Sequence, residues 1–223
     1  MDDRRLLRVQ AASGAAFALF VAVHLANMAA AVGGAEAYDG FQQAARRGYQ
    51  TPLVEVLLVG LPLVVHVAAA VTRLRRSGFR RPPQPLRQRL HRSSGWFLLL
   101  VIVGHVLAVR GSSLLFDVYP GFAGLSYSLW WQPWMFHPYY FLLGTCGLYH
   151  GLNGLVLAAD LWGWRLPAAL RSDGLLYGVT LAGAAVFVVA QVSLAGGLEP
   201  VADPTSSDYA RLMNELVGAP LSR

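Results

Sequence analysis

The sequence predicts an all-α integral membrane protein, a bundle of five transmembrane helices, and three observations carry that reading. Of the 223 residues, 55% are hydrophobic and 13% charged, where a soluble domain of this size carries about a quarter charged residues. The apolar residues gather into runs of roughly 20, enough at 1.5 Å per residue to cross about 30 Å of hydrocarbon. All 18 basic side chains are arginine, and they cluster by side in the connections between those runs. Mean hydropathy is +0.45.

The five runs fall at about 9–32, 52–73, 94–115, 136–160 and 173–197. The first is longer than the 7–15-residue apolar core of a signal peptide and contains His24 and Asn27, so it reads as a span. The second carries Gly60 and His66, and the fourth Gly144 and His150. The third is interrupted at its far end by Arg110 and Ser112. No long polar segment remains to fold as a soluble domain, so the chain reads as one membrane domain, 1–223, without an active site outside the bilayer. The connection 73–92, rich in arginine and broken by Pro82, Pro83 and Pro85, reads as a loop suited to an acidic partner or anionic lipid headgroups. The tail 199–223, with Tyr209, Leu212, Met213 and Leu216, fits a short amphipathic helix.

Charge gives the topology. Thirteen arginines lie before helix 1 or in the helix 2–3 and 4–5 connections, against five on the other side, Arg46, Arg47, Arg110, Arg211 and Arg223. The positive-inside rule then puts the N-terminus in the cytoplasm and the C-terminus outside, across a cell inner (cytoplasmic) membrane. Topology accounts for the net charge of +6, and nucleic acid is not needed to explain it. The single cysteine, Cys146, excludes an intramolecular disulfide and a Cys-x-x-Cys-His attachment of haem.

A repeat carries the chemistry. Helix 1 holds Ser13-Gly14, nine residues, then His24; helix 3 holds Ser94-Gly95, nine residues, then His105. Helix 2 has Gly60, five residues and His66, and helix 4 has Gly144, five residues and His150. Helices 1 and 3 run outward and 2 and 4 inward. Their alternating direction sorts the histidines into an outer pair, His24/His105, and an inner pair, His66/His150. Offsets of a few residues from the midplane separate the two levels by about 10 Å or less.

An imidazole at bilayer depth is costly and marks function. Neutral imidazole suits iron, and facing helices of a four-helix bundle hold cofactors between them. Four histidines in repeated, depth-matched positions therefore point to two b-type haems, each ligated by two axial imidazoles, within a core formed by helices 1–4. With both axial positions filled, such a haem carries electrons and leaves no site for oxygen.

Other candidates are softer. Arg73, two turns beyond His66, can pair with a haem propionate or be an ordinary positive-inside arginine. Gly14, Gly95, Gly147 and Gly154 can admit a porphyrin to the backbone or simply pack helices. Asn27 and Asn153 each follow a candidate ligand by three residues. The aromatic connection 111–135, with Phe116, Tyr119, Phe122, Tyr127, Trp130, Trp131 and Trp134, reads as an interfacial belt or as one wall of a quinone pocket. Glu55 and His137 open helices on that side and can exchange a proton with a quinol. On the cytoplasmic side His91, Arg92, Ser93 and Ser94 open helix 3.

The four histidines, the Leu90-His91-Arg92-Ser93-Ser94-Gly95 opening of helix 3 and His150-Gly151-Leu152-Asn153-Gly154 in helix 4 together resemble the cytochrome b membrane anchor of succinate dehydrogenases and fumarate reductases. The likeness is to the five-helix, single-subunit, dihaem type and covers nearly the whole chain. It implies a respiratory complex II of the tricarboxylic acid cycle, with this chain as the non-flavin subunit. Succinate would be oxidised in a flavoprotein docked with an iron–sulfur subunit on the cytoplasmic face. The chain would pass electrons between that subunit and membrane menaquinone or ubiquinone. His66 and His150 would ligate the inner haem, and His24 and His105 the outer. Arg73, Arg92 and Ser94 would lie near a propionate or quinone, and Glu55, His137 and Trp131 near an outer quinone. A trimer of heterotrimers is among the assemblies the likeness admits. One departure stands out: some dihaem fumarate reductases carry a glutamate two residues before the fourth ligand for proton movement, and here that position is Leu148.

Two other readings stay open on sequence alone. One is a dihaem cytochrome serving another dehydrogenase, of hydrogenase or formate dehydrogenase type. The other is a haem-free transporter or assembly factor whose histidines hydrogen-bond neighbouring helices.

Overall fold

In a computed structural model, residues 2–78 and 84–222 are described, and their secondary structure is helix alone, joined by short connections, with no strand. Helix α1 (Asp3–Ala30) passes through a 3-10 turn, Ala31–Gly33, into α2 (Gly34–Tyr49). Gly34, at φ +81°, takes a backbone region open mainly to glycine. The polar α2 has Glu36 in its first turn and Arg46 and Arg47 in its last, matching the helix dipole at both ends. Helix α3 (Pro52–Ser77) starts with proline at its first position, where no amide hydrogen is missed, and ends at Gly78 with φ +73°. Helix α4 spans Leu86–Phe116, α5 Phe122–Trp131, α6 Pro133–Leu161, α7 Asp173–Leu194 and α8 Asp208–Val217.

Among the described residues, five helices are long and apolar enough to cross a membrane: Asp3–Tyr49, Pro52–Ser77, Leu86–Phe116, Pro133–Leu161 and Asp173–Leu194. Each contains one of the five apolar runs, except that the last run stops at Leu194. There Gly196 (φ +80°) and Gly197 turn the chain, Gly197 N–H donating to the Val192 carbonyl at 2.8 Å.

The connection 73–92 is shorter than the sequence suggests. Arg73, Arg75 and Arg76 continue α3, and Arg87, Arg89 and Arg92 lie in the first turns of α4, while Arg80, Arg81, Pro82 and Pro83 fall outside the described residues. The reason is local: the arginines are good helix formers, and Arg76 and Arg87 reach acidic partners, Asp3 at 3.0 Å and Asp173 at 3.1 Å. Nor do Arg110 and Ser112 end α4. Ser112 and Ser113 hydroxyls donate to the carbonyls of Ala108 and Arg110, and Arg110 Nη1 donates to Ser113 Oγ at 2.8 Å, so the helix satisfies its own polar groups.

Polarity is distributed as a bilayer requires. Leu19, Leu100, Leu181, Val64, Val103 and Leu107 are each more than 60% exposed. Ser13, Asn27, Ser94, Asn153, Thr180 and Gln191 are buried. In water, this much contiguous apolar surface would be an aggregation hazard; in lipid it is the solvated face.

The chain forms two compact units. The first comprises Met1–Leu25, Arg46–Leu99 and Cys146–Gly183, and the second Ala26–Ala45, Leu100–Thr145 and Ala184–Arg223. Within the second, Ala31, Tyr38, Phe122, Leu129, Ala190 and Leu194 form one buried cluster. Tyr127, Tyr209, Ala210 and Ala219 form another, where α8 and the tail pack on α5. Asp39 of α2 caps α5 by accepting the Phe122 amide at 2.8 Å.

Candidate haem-binding site

The first unit brings His66 and His150 together. Their ring centres lie 6.2 Å apart with planes at 88°. His66 Nδ1 lies 2.9 Å from the Gln10 carbonyl, and His150 Nδ1 lies 3.1 Å from the His91 carbonyl. A carbonyl can only accept, so in both rings Nδ1 carries the hydrogen and Nε2 presents its lone pair.

The repeat seen in the sequence turns out to be the machinery of this arrangement. Gln10 precedes Gly14 by four residues, and His91 precedes Gly95 by four. A Cβ on Gly14 would lie 2.7 Å from His66 Nδ1, and one on Gly95 would lie 2.9 Å from His150 Cε1. Each glycine therefore seats an imidazole of the neighbouring helix, and the carbonyl one turn earlier orients it. This replaces one sequence reading, that Gly14 and Gly95 open the backbone to a porphyrin: the imidazoles occupy that space. The serines before the glycines keep their hydroxyls local. Ser13 donates to the carbonyls of Val9 and Gln10, and Ser94 to that of His91 at 3.0 Å, within 3.3 Å of His150 Nδ1.

Two imidazoles, each with Nδ1 on a carbonyl and Nε2 left as donor, are the donor set that would hold a haem iron. An imidazole bonds a transition metal at about 2.0 Å, which puts each ring centre roughly 3.1 Å from the metal and the two centres about 6.3 Å apart. The observed centres are 6.2 Å apart, a separation that an edge-to-face ring pair also takes. Among the described residues no three His, Cys, Asp or Glu side chains gather as a metal-ion cluster; axial ligation needs two imidazoles, since the macrocycle fills the remaining positions. One turn before His150, a Cβ at Gly147 would meet nothing within 4 Å.

Around the pair lies a polar frame. Arg73 Nη1 donates to Gln10 Oε1 at 2.6 Å, which joins α3 to the residue orienting His66. Arg87 is the larger hub, missed as an individual residue in the sequence. Its Nε donates to Asn153 Oδ1 at 2.6 Å, its Nη1 to the Arg171 carbonyl and to Asp173, and its own carbonyl accepts from the Tyr149 hydroxyl at 2.9 Å. Asn153 is thereby spoken for by Arg87. Ser94 is buried in the frame, and Arg92 is half-buried beside His91.

The other candidates make contacts of their own. His24 belongs to the first unit, its ring stacked on Phe20 at 5.6 Å, with Phe20 edge-on to Tyr49. His105 belongs to the second, 3.3 Å from the Tyr139 hydroxyl and two residues before a π-turn at Leu107–Gly111 begins. Glu55 is half-buried in the first unit, where α3 passes into the π-turn Val56–Gly60. In the second unit His137 Nδ1 lies 3.0 Å from Oε1 of the buried Gln191, and Trp131 packs against Tyr127 and Phe136.

No family model, curated protein or solved structure matches the chain.

Proposed function

We propose that the chain is a dihaem cytochrome b, the membrane-anchor subunit of a succinate:quinone oxidoreductase. The observation that carries the haem reading is the His66/His150 pair: two imidazoles held with Nε2 lone pairs available. A haem-free role explains the Nδ1 contacts and an edge-to-face ring contact; the haem reading also gives a use to the two Nε2 donors held side by side. His24 and His105 repeat the same offsets from Ser-Gly pairs and are assigned to the second haem.

The bound haems would supply one-electron carriage between a cytoplasmic iron–sulfur subunit and membrane quinone. The chain's own part is to bind and orient. Gly14 and Gly95 admit the imidazoles, the Gln10 and His91 carbonyls fix their tautomer, and Arg73 and Arg92 offer positive charge for propionates on the arginine-rich side. That side faces the cytoplasm by the positive-inside rule, where the flavoprotein and iron–sulfur partners dock. Glu55, His137 and Trp131 are the proposed contacts of an outer quinone.

A dithionite-reduced minus oxidised spectrum of the purified chain tests the haem reading: a b-type α-band is expected, and its absence would end it. Affinity purification from the native membrane tests the partner reading. A flavoprotein and an iron–sulfur protein should co-elute with the chain, and recovery of a hydrogenase or molybdenum subunit would replace the succinate assignment.

A further inference from the structure

The two inner imidazoles are oriented alike at one edge but not on their faces. The edge contacts are the Gln10 and His91 carbonyls. In α1 the Gln10 side chain turns to Arg73. In α4 the matching side chain is the imidazole of His91, which lies parallel to that of His150, with ring centres 4.1 Å apart and planes at 4°. His91 Nδ1 is buried with no hydrogen-bond partner. A buried polar nitrogen without a partner is unusual, so stacking, not hydrogen bonding, accounts for the placement of this ring. Gly154 lies behind it, where a Cβ would come within 3.7 Å of His91 Cε1.

We propose that His91 is a positioning residue: its ring is a plate against one face of His150 that fixes the plane of that imidazole nearly perpendicular to the plane of His66. The inference rests on the haem reading above and goes beyond it. A ligand held only at its Nδ1 edge can rock about the metal–nitrogen axis; one held at an edge and a face cannot. Gly95, one turn on from His91 in the same helix, leaves little room at the ring, since a Cβ there would come within 2.9 Å of His150 Cε1. The angle between two axial imidazole planes sets the splitting of the iron d orbitals. That angle is read directly in the largest g value of the oxidised low-spin haem, and a purely structural role would not move it.

The test uses the full-length protein with its haems, oxidised, by low-temperature electron paramagnetic resonance. The inner-haem signal is identified as the one lost in His66→Ala. His91→Phe keeps a flat ring and should leave that signal at its wild-type position. His91→Leu removes the plate, and the signal should shift to lower g and broaden as the planes relax from perpendicular. An unshifted signal in His91→Leu, or a shift in His91→Phe equal to that of His91→Leu, would overturn the proposal. Should His91→Leu lose the haem, His91→Phe decides: a signal at the wild-type position supports the proposal and a shifted one overturns it. Absence of any b-type band in the wild-type reduced minus oxidised spectrum would instead sink the cytochrome reading, a failure distinct from a haem present with unmoved signals.

Discussion

His66 and His150 stand with ring centres 6.2 Å apart and planes at 88°, and each gives its Nδ1 hydrogen to a carbonyl of a different helix. The relationship makes the two residues equivalent in one test. His66→Ala and His150→Ala should each remove the same half of the b-type absorbance, while His24→Ala and His105→Ala remove the other half. Haem content per protein, with redox titration to tell the two apart, checks this. Loss of different haems in His66→Ala and His150→Ala would dissolve the pair.

Gly14 and Gly95 should tolerate no side chain. A methyl group would approach the His66 and His150 rings to 2.7 and 2.9 Å, and neither ring can move away without leaving its carbonyl. Gly14→Ala and Gly95→Ala should each cost about 1–3 kcal/mol through overpacking and lower inner-haem occupancy. Gly147→Ala, where a Cβ meets nothing within 4 Å, is the control for haem-free stability. Thermal unfolding in detergent, read beside haem content, separates the cases.

Arg87 joins α4 to α6 and α7 through Asn153, the Arg171 carbonyl and Asp173. Asn153 is 1% exposed, so Arg87→Ala strands its amide oxygen in the interior, a loss of about 1–3 kcal/mol. Arg87→Lys should recover little of it, because one ammonium cannot reproduce a fork that serves Asn153 and Asp173 together. The melting temperature of the purified protein measures both variants. Equal stability of Arg87→Ala and wild type would remove Arg87 from the frame.

The spans were legible because lipid imposes its demand on long apolar runs, and each run lies in a helix that also continues through polar residues. Helix ends were less so. Arg73 to Arg76 and Arg87 to Arg92 read as loop by polarity, yet helix propensity and contacts to Asp3 and Asp173 keep them helical. The histidines, with the Ser-Gly pairs, were visible as a repeat. Their partners were not, because a backbone carbonyl has no sequence signature: Gln10 becomes visible only by extending the repeat four residues before Gly14 and finding it aligned with His91. The capping of α5 by Asp39 of α2 was hidden for a different reason, since those residues are 83 apart in sequence.

The packing of the tail on α5 should loosen in alkali. Tyr127 donates its hydroxyl to the Pro220 carbonyl at 2.7 Å, and burial raises the phenol pKa of both Tyr127 and Tyr209 above its ordinary value. A group with a raised folded-state pKa holds its proton longer folded than unfolded. Its stabilisation is complete below the ordinary phenol pKa of about 10 and is lost as pH rises through the folded value. Limited proteolysis of residues 199–222 should therefore accelerate above pH ~10 and be flat between pH ~6 and ~9. Tyr127→Phe leaves the Pro220 carbonyl without its donor, costs about 1 kcal/mol and should speed cleavage at neutral pH while shrinking the alkaline step. An alkaline step of full size in Tyr127→Phe would assign the effect to Tyr209 alone.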